Sequence, residues 1–67
     1  MRPNRSLRIA LMLEGLTGRE LARRTNLREA TISKIMTGRV IPREYEKDRI
    51  ARVIGRPVEE LFGQDAR

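Results

Sequence analysis

The 67-residue chain reads as an all-α domain, a compact bundle of five short helices. Three observations lead there. Apolar residues recur at three- and four-residue spacing from Leu7 to Phe62, and no stretch alternates as a strand would. Gly15, Gly38 and Gly55 each follow such a segment, and glycine closes helices because it enters the left-handed conformation without strain. Capping side chains or a proline stand at several of the starts.

The first helix is expected from Asn4 or Ser6, either of which can cap it after Pro3, to Glu14. Leu7, Ala10, Leu11 and Glu14 share one face. Ile9 and Leu13 lie on another that is too apolar for an ordinary solvated surface, so they meet either the C-terminal helices or a second subunit. The second helix spans Gly18 to Thr25, with Thr17 and Glu20 forming a T-x-x-E capping box at its start. Ala22 is small where crossing helices approach, and Asn26 sits at a corner where a positive φ is expected. The third helix covers Arg28 to Thr37, with Ile32 and Ile35 inward, and Arg39 to Pro42 is a short connector. The fourth runs from Arg43 to Ile54 on a stripe of Tyr45, Ile50, Val53 and Ile54; acids early (Glu44, Glu46, Asp48) and bases late (Arg49, Arg52) suit its dipole. Pro57 opens a last short helix through Phe62, where Val58, Leu61 and Phe62 close the core. The expected organisation is a flexible basic arm over 1–5, a folded domain over 6–62 and a short tail over 63–67.

Composition narrows the function classes. The length suits one domain with a small core. Without Cys or His there is no disulfide, no zinc finger and no histidine-based catalysis, and a cytoplasmic setting is expected in the absence of a membrane-length apolar run or a signal peptide. The carboxylates are spread over helix surfaces and no glycine-rich phosphate loop is present, so neither an enzyme nor a cofactor or metal is expected. General RNA binding is disfavoured, because aromatic stacking platforms need more than Tyr45 and Phe62, which read as core. The formal charge of +6 is unevenly placed: residues 1–39 hold nine Lys or Arg against three acids, and the remainder balances. The excess therefore coincides with the second and third helices, the polarity that attraction to phosphates predicts.

Residues 18–37, GRELARRTNLREATISKIMT, lay out two short helices joined by a tight turn, the second turning small polar and charged residues outward. On these residues the chain resembles the Cro/C1-type helix-turn-helix family, the phage-repressor-like group, and the likeness extends from about Leu7 to Phe62. The resemblance implies a lambda-repressor-like five-helix domain whose third helix enters the major groove of double-stranded DNA. The matching base-contacting positions are Arg28, Glu29, Ala30, Thr31 and Ser33. Arg28 can pair with guanine O6 and N7, Glu29 can accept from cytosine N4, and Ala30 or Thr31 can pack on a thymine methyl. The alternative roles stay open: Glu29 as a stabiliser of its helix N-terminus, Arg28 as a solvated flank, Thr31 and Ser33 on phosphate or water. Backbone contacts are assigned to Thr17, Gly18 and Arg19 at the start of the second helix, and to Lys34, Thr37, Arg39 and Arg43. Arg23 and Arg24 are equally well read as solvated. Arg2 and Arg5 fit a short arm into a flanking groove or a disordered basic terminus.

Two departures from the family pattern stand out. Relatives commonly carry Gln at the place of Gly18, so backbone amides are left to serve there. Relatives also pair an Arg of the first helix with a Glu late in the third, where this chain has Leu11 and Met36, and the paired replacement predicts that these two side chains touch in the core. The function implied is that of a transcriptional regulator, a repressor, on a palindromic operator. A homodimer is expected, at least on DNA, joined through Ile9 and Leu13 or through Val58, Leu61 and Phe62. The alternative is an antitoxin or another protein-interaction module, though no long disordered tail able to wrap a partner stands in the sequence.

Overall fold

The computed structural model describes residues 3–63. They form five helices: α1 (Arg5–Glu14), α2 (Gly18–Thr25), α3 (Glu29–Met36), α4 (Glu44–Ile54) and α5 (Val58–Phe62). Each boundary has a local cause. Asn4 caps α1, its Oδ1 accepting from the Leu7 amide at 3.0 Å. Thr17 caps α2 by accepting from the Glu20 amide at 3.1 Å. The reciprocal half of that capping box is replaced, because the Glu20 carboxylate turns to Arg23 and Arg24 on its own helix. Asn26 ends α2 with φ of 61°, and the Leu27 amide closes the turn on the Ala22 carbonyl at 3.0 Å. After α3, Gly38 takes φ of 79° and the Arg39 amide reaches the Lys34 carbonyl at 2.9 Å. At the start of α4 the Glu46 carboxylate accepts from the Arg43 amide at 2.8 Å.

The core is built from all five helices. Leu7, Leu21, Ile32, Ile35, Ile50, Leu61 and Phe62 are essentially sealed from solvent, and Ala10, Leu11, Ala22, Ala51 and Ile54 fill between them. Helix α2 packs on α3 and α4, and α1 packs on α5. Leu11 is 3% exposed, and Met36 packs half-buried against the same cluster, so neither side chain stands in solvent.

Four expectations are revised or narrowed. Asn4 is 3% exposed; its Nδ2 donates to the Leu61 carbonyl at 3.0 Å and its amide donates to the Met36 carbonyl at 2.9 Å. With Arg5 the first residue of α1, the folded body thus takes in two residues assigned to the arm; Met1, Arg2 and residues 64–67 of the tail lie outside the described residues. Tyr45 is 50% exposed and not part of the α4 stripe. It precedes Ile50 by five residues, which places it on the far side of the helix, where it stacks on Arg49 at 5.2 Å from its ring centroid. Leu61 and Phe62, two of the three residues of one offered dimer contact, are consumed by the monomer's own core. Ile9 and Leu13 do not meet the C-terminal helices closely enough to be covered: they are 53% and 66% exposed and edge a shallow groove with Arg56 and Glu60.

Candidate nucleic-acid interface

Helix α3 is short, and its inward side is set by Ile32 and Ile35. The helical period then turns Glu29, Ala30, Ser33 and Lys34 outward, and all four are exposed. Arg28, also exposed, is the N-cap residue, so it begins α3 from outside the helix. Thr31 stands differently. It is half-buried, and at four residues before Ile35 it lies at the edge of the inward side of the helix, round from Glu29 and Ser33.

The start of α2 meets this face across a cleft of about 270 Å³, lined by Arg8, Gly18, Arg19, Glu29, Ile32, Ser33, Met36 and Thr37. It brings together Gly18, Arg19 and Thr37 from the backbone-contact set and Glu29 and Ser33 from the base-contact set. Arg19 reaches Glu29 at 3.8 Å, an exposed pair of little energetic weight that still lays the Arg19 side chain across from α2 to α3. The Thr17 hydroxyl accepts within its cap, which leaves its hydrogen available to an incoming oxygen. Thr37 is the reverse case. Its hydroxyl donates to the Ser33 carbonyl at 2.9 Å, so in this conformation that hydrogen is engaged and a donated bond to phosphate requires rotation. Lys34, Arg39 and Arg43 lie outside the cleft, on α3 and on the connector leading to α4.

Pairing sorts the cations. Arg23 and Arg24 are held by Glu20, and those two hydrogen bonds lower the pKa of its carboxyl from the ordinary glutamate range. Lys47 pairs with Glu44 at 3.6 Å, and Arg56 bridges Glu14 of α1 and Glu60 of α5 at 3.6 and 2.8 Å. The hydrogen bond to Glu60 raises the Arg56 pKa further. Arg49 donates to the Thr25 carbonyl at 3.4 Å, tying α4 to the end of α2 beside the Asn26 turn. By contrast, among the described residues Arg5, Arg8, Arg28, Lys34, Arg39, Arg43 and Arg52 make no ion pair within the chain. Four of these seven follow α3 and its connector. Cations left uncompensated are the ones that lower the energy of an approaching polyanion.

Sequence reasoning passed over two of these positions. Arg8 enters the cleft because it lies one turn before Leu11, on the flank of α1 that turns toward α3; that three-residue relation was legible. The Arg49 bond to Thr25 depends on how α4 crosses α2, for which the sequence holds no local signal.

A helix-turn-helix domain family matches the chain over residues 5–61. No curated protein and no solved structure matches it. Among the described residues, no helix is long and apolar enough to cross a membrane.

Proposed function

The chain belongs to the helix-turn-helix domain family, and from that membership we propose that it is a sequence-specific regulator of transcription, a repressor of the Cro/C1 type, acting on double-stranded DNA. Helix α3 lies in the major groove. Arg28, Glu29, Ala30 and Ser33 read base edges from its exposed side, and Thr31 contributes from the flank. Thr17, Gly18 and Arg19 seat the backbone on one side of the groove, and Lys34, Arg39 and Arg43 grip it on the other; Thr37 joins them if its hydroxyl turns. The protein binds and excludes other proteins from its site, with no chemistry of its own.

The observation that carries this reading is the division of the cations. Four of the seven unpaired cations, Arg28, Lys34, Arg39 and Arg43, stand on α3 and its connector, while Arg23 and Arg24 of α2 and Lys47 of α4 are answered by Glu20 and Glu44. Bases that served only solubility would show no such division.

Two copies act together on a palindromic operator, because one reading helix contacts too few base pairs to single out a site. Their contact is the Ile9 and Leu13 face of α1, since Leu61 and Phe62 are already buried. The same exposed face is what an interaction module such as an antitoxin would use, and purification with a stoichiometric partner of different sequence would favour that alternative.

Selection of bound duplexes from a random library tests the assignment. A defined, two-fold symmetric motif is expected. Repeating the selection with Arg28→Ala and with Glu29→Gln should relax one base position each, by about 1–3 kcal/mol of discrimination. Uniform weakening with a shallower salt dependence would move both residues to the backbone, and failure to enrich any duplex would defeat the proposal.

A further inference from the structure

Arg8 belongs to neither set of residues assigned to DNA above. It projects from α1, outside the two-helix unit, yet it lines the same cleft as Gly18, Arg19 and Ser33. It is exposed, and among the described residues its side chain has no ion-pair or hydrogen-bond partner. The floor of the cleft is apolar, supplied by Ile32 and Met36. Gly18 keeps that floor open, for a Cβ there would stand 3.7 Å from the Met36 sulfur and 3.8 Å from an Ile32 methyl. An apolar floor between cationic walls is a low-dielectric concavity that concentrates positive potential at its mouth. Glu29 is the one acid in the lining, and Arg19 already answers it. The charge of Arg8 is therefore the unspent one.

Resting on the DNA-binding reading, we infer that Arg8 is a further backbone-contacting residue, which with Arg19 holds one phosphodiester at the mouth of this cleft. When DNA docks, Arg19 exchanges Glu29 for the phosphate. The Glu29 carboxylate, released from that pair, is then turned to the base edges. The contact involves charge and position but no base identity, so it operates on any sequence.

Binding to a mixed-sequence duplex about two helical turns long, titrated over a range of salt concentrations, provides the test, using the full chain, Arg8→Gln and Arg52→Gln. Arg52→Gln removes an equally unpaired charge from α4, outside the cleft. The expected result is that Arg8→Gln lowers the slope of log affinity against log salt by about 1, with a several-fold weaker affinity at low salt, and that Arg52→Gln leaves the slope unchanged. A slope for Arg8→Gln equal to that of the unaltered chain would overturn the assignment and leave the DNA-binding reading standing. Equal losses in the two variants would also overturn it, by assigning the effect to net charge. If the unaltered chain binds no duplex even at low salt, the underlying reading fails instead.

Discussion

Asn4 joins three parts of the fold through one residue. Its Oδ1 caps α1, its Nδ2 satisfies the Leu61 carbonyl at 3.0 Å in α5, and its amide reaches the last carbonyl of α3 at 2.9 Å. All of this is out of contact with water, where an orphaned polar group is costly. Asn4→Ala removes the cap and strands the Leu61 carbonyl, and the combined loss is expected to be about 2–3 kcal/mol in urea denaturation. Asn4→Asp keeps the capping oxygen but loses the donor, so it should not restore stability. A change near zero in the alanine variant would mean that water replaces the side chain. The capping role was legible, because Asn before an apolar-periodic run is a start signal. Its second bond was not, since Leu61 lies 57 residues away. Tyr45 teaches the opposite lesson. Its five-residue offset from Ile50 is legible in the sequence, and that periodicity, not its aromatic character, decides its exposure.

Among the elements, α2 shows how a helix-turn-helix motif is held. Thr17 starts it, Asn26 stops it with a left-handed residue, and the Arg49 guanidinium braces its last carbonyl. At its first position Gly18 has an ordinary helical backbone, and a methyl added there would meet Met36 and Ile32 at normal contact distance. Gly18→Ala is therefore expected to raise stability by about 0.5–1 kcal/mol, chiefly by restricting the unfolded chain. Chemical denaturation checks this, and a destabilised variant would show that the cleft cannot accept a methyl. The limits of α2 and the turn that closes α3 were readable because caps and turns are local chemistry. Helix α3 begins one residue later than expected, with Arg28 as its N-cap, because no side-chain cap marks that boundary. The cleft itself needed the crossing of α1, α2 and α3, which no local pattern encodes.

At the scale of the molecule, size limits how two copies can meet. The described residues span 28 × 22 × 20 Å, and reading helices on adjacent half-sites sit about 34–36 Å apart. Copies placed so far apart touch over a small area, which suits association on DNA and little association without it. Sedimentation at micromolar concentration should find a monomer alone and two copies on a palindromic duplex. Leu13→Glu, a substitution at a 66% exposed position, should abolish cooperative loading of the second copy and leave single-half-site binding intact. Unchanged cooperativity would show that the copies meet elsewhere or communicate through the duplex.

The sequence by itself determined the helix count, the turn at Asn26, the inward residues of α3 and the uneven distribution of charge. These follow from caps, periodicity and composition, all of which act over a few residues. Tertiary structure alone decided that Ile9 and Leu13 are surface, that Asn4 reaches the Leu61 carbonyl, and that Arg8 shares a cleft with Arg19. Those outcomes depend on the angles at which helices cross, and crossing angles are set by the packing of many side chains at once.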